Sequence, residues 1–416
     1  MCNNRLSSDF FLDEIRSDYL VTSEYKKLWA VELDLMQELD RFCKEYGVKY
    51  FAEGGTLLGA ARHQGFIPWD DDIDLVMLWE DYQVLLREGP GFFKEPYFLQ
   101  NYLTEKEGEP QLSKLRRSDT TGCTKWEQAC VTPPYHKGVF IDIFPMNSVA
   151  EGEAERKKQI DDSIFYWKLY KGYEVDREKQ FNHGISGLES TYDAYEQMFL
   201  TQYPRLTFPE VRDRYVQACA MAEDKRCEYV GLLSFRSDDH RFIWPRAWFD
   251  EVTYLPFEHI NIPCTKYYTD MLRTEFGDWE IPVRGGSIHE MSVFDTEVPY
   301  KQKLDIRTDL PVYVRSYTPV DYPFISKLVK DAYGADLTQE ELQTRYISKN
   351  QYVLSAVLSD GTVVGCLFMT ISPEKKQAFI THIAADEAKR SETEEKMTIQ
   401  AQKIAGYYGC GPVENA

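Results

Sequence analysis

Long apolar runs are missing from this 416-residue chain, and so are paired cysteines, clustered histidines and any excess of basic charge. No stretch reaches the roughly 18 apolar residues that a membrane-spanning helix needs. The start, Met1-Cys2-Asn3-Asn4-Arg5, leads into acidic, polar sequence rather than the apolar core of a secretion signal. The nine cysteines, at 2, 43, 123, 130, 219, 227, 264, 366 and 410, contain no Cys-x-x-Cys pair. Such spacing argues against a disulfide framework or a zinc ribbon and predicts free thiols in a reducing compartment. The seven histidines show no metal-ligand spacing. Lys and Arg number 48 against 68 Asp and Glu, a net charge of −20 that argues against a large nucleic-acid footprint. The expectation is a cytoplasmic protein with no nucleic-acid partner.

What the chain does have is patterned sequence. Leu28, Val31, Leu35, Leu39 and Phe42 recur at three- and four-residue steps, which predicts a helix from Ser23 to Tyr46, with Ser23 as its cap and Gly47 at its end. Val48 to Ala52 reads as a strand, Thr56 to Arg62 as a short helix and Ile73 to Leu78 as a second strand. Val139 to Phe144 reads as a third strand, stopped by Pro145. Residues 151–235 are helical in pattern, whereas 244–291, dense in Trp, Tyr, Pro and Gly, read as irregular. Beyond a boundary near residue 305 the order becomes β-α-β-β-β-α. It comprises a strand at 312–315, a helix at 322–333, a hairpin turning at Asp360-Gly361, a strand at 378–384 and a helix at 391–407.

Three pieces carry chemistry: Gly54-Gly55-Thr56, the run Asp70-Asp71-Asp72-Ile73-Asp74, and Asp142. Each alone is ordinary, as a turn, a solvated acidic loop or a buried acid satisfied by backbone. Together, on strand–turn–helix and strand contexts, they coincide far less readily by accident. Residues i and i+2 of a strand share a face, so Asp72 and Asp74 should present neighbouring carboxylates. Neighbouring carboxylates repel unless a cation lies between them, and Mg²⁺ or Mn²⁺ is the natural occupant. Asp142, inside the apolar run Phe140-Ile141-Asp142-Ile143-Phe144, would supply a third carboxylate if its strand lies beside the first. Gly54-Gly55-Thr56 opens a helix, where bare backbone N–H groups can approach a phosphate. Lys114 and Arg116 are candidates for phosphate contact, with a surface salt-bridge face as the alternative. Arg62 is another, with helix-end capping as its alternative. Together these pieces describe metal-assisted transfer of a phosphorus group.

The stretch Glu53-Gly-Gly-Thr-Leu-Leu-Gly-Ala-Ala-Arg-His-Gln-Gly-Phe-Ile-Pro-Trp-Asp-Asp-Asp-Ile-Asp74 resembles the signature of the LicD family, and so does His136-Lys-Gly-Val-Phe-Ile-Asp-Ile-Phe-Pro145. The resemblance covers roughly residues 20 to 300. It implies an α+β fold, a nucleotidyltransferase-like mixed sheet with flanking helices, over residues 1–305. It also implies Asp72 and Asp74 as metal ligands, with Asp142 as third ligand or general base. The implied reaction moves a phospho-alcohol, most commonly phosphocholine from CDP-choline, onto a sugar hydroxyl of a teichoic acid, lipopolysaccharide or capsule precursor, with release of CMP. Peripheral contact with the inner face of a membrane, where lipid-linked glycans are built, is compatible with that reaction. The alternatives are a nucleotidyltransferase that attaches an NMP and releases pyrophosphate, or an inactive scaffold that binds a CDP compound.

Residues 306–416 resemble the front part of a GNAT acetyltransferase domain, a small α/β unit. The position of that family's glycine-rich pyrophosphate loop reads Arg390-Ser391-Glu392-Thr393-Glu394-Glu395 here. It has no glycine and carries glutamates that would repel phosphate, and the sequence stops at Ala416 before the final strands of such a fold. A partial, degenerate module without acetyl transfer is the expectation.

Overall fold

The computed structural model describes residues 6–105, 111–123, 136–181, 207–236, 239–283, 293–303, 312–317, 321–358 and 362–415. A hairpin of β1 (Glu14–Arg16) and β2 (Tyr19–Val21) precedes the long helix α1 (Ser23–Tyr46). Thr22, rather than Ser23, caps α1: its hydroxyl accepts from the Tyr25 N–H at 3.4 Å. Gly47 ends the helix at φ 66°, a left-handed conformation that suits glycine. Next come β3 (Phe51–Ala52), α2 (Gly54–His63), β4 (Asp74–Leu78), α3 (Trp79–Phe92), β5 (Tyr97–Gln100), β6 (Ser113–Arg117), β7 (Thr121–Cys123) and β8 (Phe140–Val149). Helices Glu153–Phe181 and Phe208–Cys219 lead to β9 (Tyr229–Gly231) and β10 (Ile243–Pro245).

These strands make a seven-stranded mixed sheet in which β8 is the hub. One edge of β8 pairs in parallel with β4, and β3 lies antiparallel beyond it. The other edge pairs antiparallel first with β6, which carries β5, and then with β9, which carries β10. Pro145 does not stop β8 as the sequence suggests; it sits in register with Met77. The Asp142 N–H donates to Ile73 O, so N–H groups at even positions point toward β4 and the missing N–H of Pro145 points the other way. On that side β6 has already ended, opposite Ile143, and β9 begins opposite Asn147, so the ladder asks for no donor there.

The two sheet faces differ. Leu75, Leu115, Ile141 and Ile143 are fully buried on the face covered by α1, where Arg117 ion-pairs with Asp34 of that helix at 2.5 Å. The opposite face carries Lys114, Arg116, Phe140 and Asp142. The segment expected to be irregular is in part regular. β11 (Val252–Phe257) and β12 (Ile260–Thr265) form a hairpin, followed by a helix at Tyr268–Phe276 and then β13 (Val293–Asp295), which pairs with β7. Aromatic and proline density hid a strand pair in which Pro256 and Pro263 both find places in the register.

The C-terminal unit is a five-stranded sheet in the order β14 (Val312–Ser316), β15 (Gln351–Leu358), β16 (Val363–Ser372), β17 (Gln377–Ala385), β18 (Glu414–Asn415). The helices at Tyr322–Tyr333 and Arg390–Tyr407 agree with the periodicity to within one residue. A further helix, Gln339–Ile347, carries a Thr338–Glu341 capping box, and β18 adds a short parallel strand; neither was expected. The Asp360-Gly361 turn and the boundary near 305 lie outside the described residues. The β1–β2 hairpin ties this unit to the rest: Lys403 reaches Asp13 at 2.5 Å, the Tyr408 hydroxyl donates to Asp18 at 2.6 Å, and Leu20 packs in the C-terminal core. Cys43, Cys219, Cys227, Cys264, Cys366 and Cys410 are free. No helix among the described residues is long and apolar enough to cross a membrane.

Candidate active site

The acidic site begins at the turn between β3 and α2. Gly54 has φ +53°, and a Cβ on Gly55 would lie 2.6 Å from a carboxylate oxygen of Asp70. Both glycines are therefore required, one by backbone conformation and the other by the close approach of an acid. The carboxylates of Asp70 and Asp74 flank the N-terminus of α2, where the helix dipole favours negative charge. The Thr56 hydroxyl is turned inward: it is buried and accepts from the Asp74 N–H at 2.9 Å, fixing that residue at the start of β4.

Asp74 and Asp142 are register partners on adjacent parallel strands. Asp72 lies in the loop just before β4, not on the strand as expected, yet it is charge-coupled to Asp74. Burial pushes the Asp74 carboxyl well above the usual range, and Asp72, Asp142, Glu53 and Asp70 push it further. Asp70 is raised for the same reasons, by burial and then by Asp72 and Asp71. One ligand atom from each of Asp70, Asp71 and Asp72 falls within 4.8 Å of the others, a geometry able to hold a metal ion. These are hard oxygen donors in a confined, strongly anionic setting, which fits Mg²⁺ or Mn²⁺.

Lys114 is opposite Asp142 across β6 and β8, and its ammonium donates to both carboxylate oxygens, at 2.7 and 3.0 Å. It also lies 3.8 Å from the centroid of the Phe140 ring. A cation at Asp142 therefore shares that carboxylate with Lys114 or displaces it. Arg116, two residues along on the same face, is fully buried and serves the fold. Its guanidinium donates to Gln100 at 2.5 Å, Gly138 O at 2.8 Å and Gly122 O at 3.2 Å. Arg62 sits at the far end of α2 and donates to Trp279 O at 2.9 Å, which anchors that segment and takes Arg62 away from the acids. Lys137 and Trp69 are buried, and Trp69 packs on Tyr19.

Three glutamates at this site escaped the motif reading. Glu53 is buried beside Asp74. Glu275, on the helix Tyr268–Phe276, is buried with no hydrogen-bond partner on either oxygen. Burial and the nearby Glu53 push its carboxyl up to about 10. Glu32, on α1, is fully buried with both oxygens likewise unpartnered. Its sequence signal is a glutamate set between Leu28 and Leu35 in an apolar stripe.

Residues 47–173 match the family described as LicD/FKTN/FKRP, nucleotidyltransferase domain. The lipopolysaccharide cholinephosphotransferase LicD of Haemophilus influenzae is 25% identical over 248 residues, 59% of this chain and 88% of that protein. The ribitol 5-phosphate transferase FKRP of Homo sapiens is 63% identical over 35 residues, 8% of this chain and 7% of that protein. Among solved structures, the aminoglycoside 6'-N-acetyltransferase AAC(6')-Ih from Acinetobacter baumannii aligns with 26% of this chain and 79% of its own, at a TM-score of 0.23 and 13% identity.

Proposed function

Starting from the premise that residues 47–173 are a LicD/FKTN/FKRP nucleotidyltransferase domain, and that the chain is a LicD-family phosphotransferase distantly related to a lipopolysaccharide cholinephosphotransferase, we propose that it transfers phosphocholine from CDP-choline to a sugar hydroxyl. The observation that carries the reading is the register pairing of Asp74 with Asp142 beside Asp72 and the Gly54-Gly55 turn. Asp72, Asp74 and Asp142 would hold a divalent cation, which supplies charge neutralisation at the donor diphosphate. The Gly54–Thr56 turn faces that diphosphate with backbone N–H groups. Lys114, which donates to Asp142, would turn its positive charge to a phosphate oxygen when the cation takes that carboxylate. With the cation on Asp72 and Asp74 alone, Asp142 would instead accept the proton of the attacking hydroxyl. That oxygen bonds to the phosphocholine phosphorus, the bond from this phosphorus to the oxygen bridging it to CMP breaks, and CMP leaves with that oxygen and its electron pair.

Purified protein incubated with CDP-choline, Mg²⁺ and glycan precursor, followed by ³¹P NMR, should release CMP. Asp72→Asn and Asp142→Asn should not. CMP from CDP-ribitol or CDP-glycerol alone would keep the mechanism and change the cargo. Pyrophosphate from a nucleoside triphosphate, with no CMP from any CDP donor, would overturn the reading in favour of nucleotidyl transfer.

A further inference from the structure

We propose that Glu32 and Asp71 hold an inner divalent cation on the α1 side of the acidic loop, distinct from the ion at Asp72, Asp74 and Asp142. Exposure alternates along the loop: Asp70, Asp72 and Asp74 are half-buried, while Asp71 and Ile73 are buried. Asp71 therefore turns toward the core. Helix α1 meets the loop there, because the Trp29 indole N–H donates to Asp70 O at 2.9 Å. Glu32 lies one turn further along the same helix face, fully buried, with neither oxygen in hydrogen-bonding geometry with any partner. The charges that bear on it are Asp71 first, then Asp72, Asp70 and Asp74.

A buried carboxyl facing other acids has two ways to be neutral. A shared proton needs the two oxygens within hydrogen-bond distance, and a protonated acid still needs an acceptor for its O–H. Neither Glu32 oxygen has such an acceptor. A cation does not need that contact, since metal–oxygen bonds of about 2.0–2.6 Å span carboxylates too far apart to share a proton. Carboxylate oxygens favour Mg²⁺, Mn²⁺ or Ca²⁺. The inner ion is independent of the transfer chemistry: it would brace the acidic loop against α1 whether or not a CDP donor is the substrate.

The test counts tightly bound Mn²⁺ by electron paramagnetic resonance, on full-length protein first stripped with chelator. Glu32→Gln should bind one equivalent fewer than wild type and keep the equivalent that Asp142→Asn loses. An unchanged count in Glu32→Gln would overturn the inner site and leave Glu32 a neutral acid. A loss in Glu32→Gln with none in Asp142→Asn would keep the inner site and remove the ion from the proposed transfer centre instead. If Glu32→Gln fails to fold by circular dichroism, Glu32→Met, which removes both oxygens without burying a new polar group, poses the same question, with the same expected loss of one equivalent and the same overturning result.

Discussion

Buried acids in two regions of the molecule show how differently carboxylates can be accommodated. Asp321, in the C-terminal unit, is fully buried and completely served: Arg315 donates to its oxygens at 2.7 and 2.9 Å, and the Ser355 hydroxyl at 2.7 Å. At the acidic loop, Asp70, Asp72, Asp74, Glu53 and Glu32 face chiefly one another, and burial raises Asp70, Asp74 and Glu32 well above the usual carboxylate range. The first arrangement stabilises a fold. The second opposes folding and, on the proposed reading, would persist because a divalent cation completes it.

That contrast is most sharply tested by paired substitutions. Asp74→Asn should cut CMP release by at least about 10³-fold while leaving the melting temperature in EDTA unchanged or higher. Asp321→Ala should do the reverse, costing about 3–5 kcal/mol of stability because the largely buried Arg315 loses its carboxylate partner. Its CMP release, measured well below the melting point, should stay near wild type.

A finer contrast lies within β6. Lys114→Met should lower transfer about 10- to 100-fold with little change in melting, since it touches Asp142 at the rim. Arg116→Met should instead destabilise, because it strands Gln100 Oε1 and the carbonyls of Gly122 and Gly138 in the interior.

A contrast in pH dependence falls at Glu275. Its folded carboxyl, up at about 10, binds a proton that the unfolded chain releases near 4.5. Its contribution to stability is thus fully present below about pH 4.5 and is lost as pH rises toward 10. Glu275→Gln should flatten that decline, melting higher than wild type at pH 9 and close to it at pH 4.5. Melting curves across this window check the sign.

Much of this was legible in the sequence. The periodic helices Ser23–Tyr46 and Tyr322–Tyr333 form where their apolar spacing places them. Asp74 and Asp142 are adjacent because their strands pair, as the sequence context implies, and the Gly54-Gly55 turn approaches Asp74 and Asp70. What stayed hidden depends on contacts distant in sequence. Nothing local tells Lys114 from Arg116, and the difference arises from Gln100, Gly122 and Gly138 closing around one of them. Glu275 reaches the site from a helix more than two hundred residues past Glu53. Pro145 reads as a strand end until the gap between β6 and β9 shows why its missing N–H costs nothing there. Glu32 was disguised by its own helix, one acid in a stripe of leucines.

The most direct test of the account is thermal unfolding of wild type and of an Asp72→Asn/Asp74→Asn double variant, each in EDTA and in Mn²⁺. Mn²⁺ should raise the wild-type melting temperature by several degrees, the gain should shrink sharply in the double variant, and in EDTA the double variant should melt no lower than wild type. A wild-type melting temperature indifferent to Mn²⁺ would contradict that expectation, because the buried acids would then be neutralised without a metal.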